Sequence, residues 1–170
     1  MKHLVIVYSL LTVLHFQAEA QQNSEQIKYL QTRVLVTIME KCHLTALPAK
    51  QEIQISRDTI YIPLSFENEG LMSFWSPEVA VEYIFDAALY PLLYNLWGEK
   101  SSGFTNFQKI VFNVNIKPYD KPPTLMFEVS KKDWEVYMQN EDKVRLYKNL
   151  RVTASGVSFQ FDPQKAVEVE

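Results

Sequence analysis

The sequence predicts a two-layer α+β domain in which a mostly antiparallel sheet of about five strands packs on two or three helices after an N-terminal signal peptide. Its 170 residues are 47% hydrophobic and 22% charged, which is typical of a folded chain with one core. Segments with helical periodicity alternate with segments of strand periodicity. Every predicted strand alternates apolar and polar residues, and this pattern favours antiparallel strands with one buried face.

Residues 1–20 have the three-part layout of a secretory signal peptide. A basic start precedes an uncharged run from Leu4 to Phe16, and Ala18-Glu19-Ala20 forms a small-residue cleavage pattern. This run is shorter than the roughly 20 residues that a spanning helix needs. We expect cleavage after Ala20 and a secreted protein, periplasmic or extracellular, with no transmembrane span in the mature chain. The alternatives are an uncleaved anchor and an amphipathic N-terminal helix.

The mature chain has few reactive side chains. Cys42 is its only cysteine and His43 its only histidine, so an internal disulfide and a multi-histidine zinc site are both excluded. The net charge of −3 disfavours a nucleic-acid partner. Phosphate-binding glycine motifs are missing from the sequence. We therefore expect no cofactor and no metal.

The first part of the mature chain predicts one helix and two strands. Apolar residues from Ile27 to Cys42 recur every three or four positions, which predicts a helix of about 18 residues beginning at Ser24. Alternation then predicts two strands that turn around Ser56-Arg57-Asp58. Pro63 in the second strand favours an edge position because it lacks a backbone N–H.

A long second helix is predicted to begin at Ser76-Pro77-Glu78. The serine is a capping residue, and proline suits the first helical position. The pattern continues to about Trp97, and Gly98 ends it. Pro91 lies inside this helix and is expected to kink it.

The remaining chain predicts a hairpin, an ambiguous segment and a last strand. Alternation over Phe107–Ile116 and Leu125–Val129 predicts the two hairpin strands. Residues 130–150 fit either a helix or a strand, with Ser130 or Asp133 as a possible helix start. Alternation returns at Val157–Phe161. We expect one domain over residues 21–162 and a flexible acidic tail over residues 163–170.

The second helix carries the candidate binding residues. At about 100° per residue, four aromatic side chains fall on one stripe of its surface, and Trp75 precedes the helix. Such a stripe lines a pocket for an apolar or ring-bearing ligand or contacts a partner protein. The alternative is that it belongs to the core. The stripe consists of Tyr83, Tyr90, Tyr94 and Trp97.

Glu82 and Asp86 lie one helical turn apart, next to the aromatic stripe. Two carboxylates in this arrangement can act as an acid–base pair or as oxygen ligands for a hard cation. The alternative is a solvated helix face. We include both residues among the candidates for ligand or partner binding and assign no catalytic residue.

Taken together, these features favour binding over catalysis. The first hypothesis is a small non-catalytic domain that binds an apolar small molecule or a partner protein. One alternative is a carboxylate-dependent hydrolase that uses Glu82 and Asp86. Another is a structural subunit of an envelope or extracellular assembly, covered by a second copy of the chain or by another protein.

Overall fold

The computed structural model describes residues 24–42, 47–67, 77–98, 103–117, 124–148, 150–154 and 157–159. The predicted signal peptide, Trp75 and the predicted acidic tail lie outside these residues. The chain has an α+β fold with a mixed sheet and four helices, and this confirms the predicted class.

The first helix, α1, spans residues 24–41 and matches the predicted one. Leu30, Val34 and Ile38 lie on its buried face and pack in the main core. The Gln31 side chain donates a hydrogen bond of 2.7 Å to the Ile53 carbonyl. This bond fixes α1 against the segment that precedes the first strand.

Within the described residues, the sheet contains six strands in sequence order. Among these described strands, β2 and β3 pair in parallel, while the other four pairings are antiparallel. The long helix between β2 and β3 crosses over the sheet and brings the chain back in the same direction. The predicted sheet is therefore corrected in its strand number and in this pairing. The strands are β1 (Gln54–Ile55), β2 (Thr59–Glu67), β3 (Lys109–Lys117), β4 (Thr124–Ser130), β5 (Leu150–Ala154) and β6 (Val157–Phe159).

Pro63 does not lie in an edge strand, because β2 pairs with both β1 and β3. However, β1 is two residues long and its pairing reaches only Ile60 and Tyr61. Among the described residues, the side of β2 opposite β3 therefore has no strand partner at Pro63. A missing N–H is tolerated there, as at a sheet edge, because no neighbouring strand accepts a hydrogen bond from that position.

One face of the sheet carries the core. Paired residues form rows across β2, β3 and β4, and every second row is buried. The buried rows belong to the same core as residues from all four helices. The predicted alternation is therefore confirmed in these strands. The three rows are Ile60–Ile110–Val129, Ile62–Phe112–Phe127 and Leu64–Val114–Leu125.

The second helix, α2, runs without interruption from Pro77 to Gly98. Its first turns, Pro77–Ile84, are α-helical, and π-helical segments follow at Phe85–Leu89 and Tyr94–Gly98. The Tyr90 N–H donates to the Phe85 carbonyl, five residues back. Pro91, where the sequence predicts a kink, has no N–H to donate, and the wider π turn accommodates it.

The ambiguous segment forms two helices, α3 (Lys131–Asn140) and α4 (Lys143–Tyr147). Ser130 caps α3, since its hydroxyl oxygen accepts from the Asp133 N–H at 3.1 Å. Asp142 caps α4 in the same way through the Arg145 N–H. Local capping therefore decides the structure where periodicity does not.

Asp133 joins α3 to α4. Its buried carboxylate accepts hydrogen bonds from Ser130, Arg145 and Lys148 at 2.6, 2.7 and 2.9 Å. Burial alone raises the pKa of Asp133, but these three donors outweigh it and lower that pKa from 3.8 to about 2. The carboxylate consequently stays ionised at neutral pH.

We expect Asp133 to contribute to acid sensitivity. Because its pKa is lower in the folded than in the unfolded chain, its stabilisation is complete above about pH 4 and is lost as the pH falls towards 2. The loss should be about 2 kcal/mol in the free energy of unfolding. Urea titrations at several pH values should show that Asp133→Asn has lost this pH-dependent part of the free energy of unfolding. The exposed neighbour Glu135 supplies the control, Glu135→Gln, which should retain it.

Candidate functional site

The aromatic stripe of α2 divides between two surroundings. Tyr83 is 38% exposed and contacts Phe66 of β2, with ring centroids 6.5 Å apart. Tyr90 is half-buried and meets Tyr94 and the α3 residue Trp134, at centroid distances of 6.0 and 5.7 Å. The stripe is therefore neither entirely core nor entirely surface.

The C-terminal end of the stripe lines an open groove between α2 and α3. This α2–α3 groove has a volume of about 300 Å³. Trp97 is 8% exposed, whereas Met138 is 44% exposed. Beside Tyr90, Tyr94 of the same stripe is 48% exposed. The lining residues are Trp97, Gly98, Lys131, Trp134, Glu135, Met138 and Gln139.

Trp97, one of the residues that line the groove, carries an unused donor. The Trp97 indole N–H is buried and has no hydrogen-bond partner among the described residues. A buried donor without a partner costs roughly 1–3 kcal/mol. Lys131 is held at the rim, where its ammonium donates to the Thr105 carbonyl at 2.6 Å. The groove is thus suited to an apolar ring.

Among the candidate residues predicted from the sequence, only Trp97, on the α2 side, lines this groove. Trp134 and Met138 were missed as binding residues because residues 130–150 fit two periodicities. The available signal was the Ser130–Asp133 cap, which starts a helix and sets Trp134 and Met138 one turn apart on one face.

Glu82 and Asp86 differ in their environments. The Glu82 carboxylate forms a salt bridge with the Lys143 ammonium and accepts a hydrogen bond of 2.5 Å from the Tyr147 hydroxyl. Asp86 is exposed. Burial and the bond to Glu82 raise the pKa of Tyr147, so this hydroxyl remains a donor at neutral pH. Glu82 thereby joins α2 to α4.

The Cys42 thiol is half-buried at the end of α1. It donates a weak hydrogen bond to the Ala88 carbonyl at 3.7 Å. Burial raises the pKa of Cys42 to about 12. The thiol is therefore protonated at neutral pH and is a poor nucleophile.

No family model, curated protein or solved structure matches the chain. Within the described residues, three or more metal-binding side chains do not cluster anywhere. The same residues contain no helix with the length and hydrophobicity that crossing a membrane requires. A functional assignment therefore depends on the chemistry of the described surface, which includes the α2–α3 groove.

Proposed function

We propose that the protein is an exported, non-catalytic binding domain whose α2–α3 groove takes an apolar, ring-bearing small molecule. The observation that carries the proposal is the pair Trp97 and Trp134, which line an open groove together with the exposed Met138. Export is inferred from residues 1–20 alone, and a natural chain that begins at Gln21 is its test.

The size and chemistry of the groove support this class of ligand. Its volume of about 300 Å³ lies at the lower end of small-molecule sites, which span about 300–1,000 Å³. Aromatic pairs contribute about 0.5–1.5 kcal/mol beyond the area that they bury, and thioether–ring contacts contribute about as much. We also propose that an acceptor on the ligand reaches the Trp97 N–H, which is buried and has no partner among the described residues.

The partners of the candidate nucleophiles and acids also favour binding. Both oxygens of Glu82 are engaged, by Lys143 and by Tyr147. The Cys42 thiol has a pKa of about 12. Catalysis would first require Glu82 to lose these partners or the Cys42 thiol to be deprotonated.

Acetophenone and ethylbenzene provide a test, since they have the same ring and differ in one carbonyl acceptor. We expect acetophenone to shift the NMR signal of the Trp97 indole N–H and to bind about three- to tenfold more tightly than ethylbenzene. Trp97→Phe should abolish this preference. Met138→Ala should weaken both ligands several-fold.

Met39 supplies the matched control, because it is a methionine of α1 that is 60% exposed and does not line the groove. Met39→Ala should leave both affinities unchanged. If Met39→Ala and Met138→Ala act equally, or if neither ligand perturbs Trp97, the groove is not the binding site.

A dimer in light scattering that Tyr94→Lys dissociates would support the structural-subunit alternative and a homo-oligomer.

A further inference from the structure

A second hollow lies near the N-terminal end of α1, where this helix meets the β1–β2 turn. This Arg57 pocket has a volume of about 440 Å³. Apolar side chains cover one part of its wall, with Leu30 and Phe107 buried. Exposed polar side chains form the rest. The lining residues are Gln26, Ile27, Leu30, Ile55, Ser56, Arg57, Gly103, Asn106 and Phe107.

Hydrogen bonds fix the walls of this pocket. The Ser56 N–H donates to the Thr59 carbonyl at 2.9 Å, which closes the turn that carries Arg57. The Asp58 carbonyl accepts from the Gln108 N–H at 2.8 Å and holds that turn against the segment before β3. Gly103 has a φ of 78°, and a Cβ there would lie 3.6 Å from the Leu30 side chain. The pocket is preformed, which lowers the cost of binding.

The polar part of the pocket has unused hydrogen-bonding capacity. Among the described residues, the Arg57 guanidinium has neither an ion pair nor a hydrogen bond, and the side-chain amides of Gln26 and Asn106 also have no partner. The adjacent Asp58 carboxylate instead accepts from the Thr59 hydroxyl at 2.9 Å. Within the described part of the chain, Arg57 is therefore a cation without a partner beside an apolar wall.

We propose that the Arg57 pocket binds a small carboxylate with a short apolar body. A guanidinium presents a planar set of donors that matches a carboxylate in a bidentate pair. The amides of Gln26 and Asn106 supply further donors for the same group. Ile27, Leu30 and Phe107 then cover the apolar body, and this removes it from water.

Octanoate and octanol are the test probes because they share one chain and differ in charge. Calorimetric titration of the full chain should show octanoate binding, with octanol at least about tenfold weaker. Arg57→Ala should weaken the binding of octanoate by the same factor and leave the affinity for octanol unchanged. The affinity of Arg57→Lys for octanoate should lie between those of Arg57→Ala and the natural chain. Lysine keeps the positive charge but lacks the planar pair of donors of a guanidinium. Arg57 is exposed in a turn, so we expect these variants to fold.

Lys28→Ala is the control for general electrostatics, since this exposed lysine lies on α1 outside the pocket. It should leave octanoate binding unchanged. The proposal is overturned if octanoate does not bind, if octanol binds equally well, or if Lys28→Ala weakens octanoate as much as Arg57→Ala. Met138→Ala should have no effect on octanoate, and this separates the pocket from the α2–α3 groove.

Discussion

Phe85→Ala is expected to lower the free energy of unfolding by about 3–5 kcal/mol. Phe85 is completely buried in a π-helical segment of α2. Its ring lies within 6.3 Å, centroid to centroid, of four other rings. Truncation would remove its contacts to α2, α3, α4 and β4 together and leave a cavity. The four rings belong to Tyr90, Phe127, Tyr137 and Tyr147.

Two further variants separate this effect from a general loss of aromatic surface. Phe85→Leu fills most of the cavity and should cost clearly less than Phe85→Ala. Tyr83→Ala, two residues earlier in α2, removes a ring that is 38% exposed and should cost about 1 kcal/mol. Urea unfolding followed by far-UV circular dichroism measures all three. Equal losses at Phe85 and Tyr83 would contradict a central role for Phe85.

The structure explains why several elements were predictable. In α1, every buried residue is separated from the next by four positions, which is the helical spacing that the sequence shows. In β4 the buried residues alternate, and they pair in register with the core-facing residues of β3, where Val111 is buried on the opposite face as well. The local hydrophobic pattern and the tertiary burial agree in these segments, and secondary structure can be predicted from sequence where they agree.

The pairing of β2 with β3 was not predictable from alternation. Ile60, Ile62 and Leu64 alternate with half-buried and exposed residues in the way that an antiparallel strand does. Their neighbour β3 is nevertheless parallel, because α2 provides a crossover between the two strands. Alternation reports how many faces of a strand are buried, whereas the connection decides its direction.

The candidate site shows a similar limit. Tyr90 and Tyr94 of the predicted stripe lie side by side with stacked rings, but a helical projection says nothing about the element that covers that face. Here α3 covers part of it through Trp134, which meets the Tyr90 ring. Tyr83 contacts β2 instead, through Phe66. A groove made by two helices becomes visible only once both helices are placed.

Glu82→Gln is expected to lower the free energy of unfolding by about 3 kcal/mol. The exposed fractions of the Glu82 and Lys143 side chains are only 14% and 15%. Glutamine has nearly the same shape as glutamate, so the variant removes the charge and not the packing. The Lys143 ammonium would lose its buried counter-ion, and the buried Tyr147 hydroxyl would lose a charged acceptor.

A double-mutant cycle with Lys143→Met tests whether the charge pair is the cause. If it is, the double variant should be at least 1 kcal/mol more stable than the sum of the single effects predicts, because neither charge is then buried alone. Asp86→Asn is the control one turn further along α2, where the carboxylate is exposed, and it should cost under about 1 kcal/mol. Additive losses in the cycle would show that Glu82 stabilises the fold through Tyr147 or through packing, and not through Lys143.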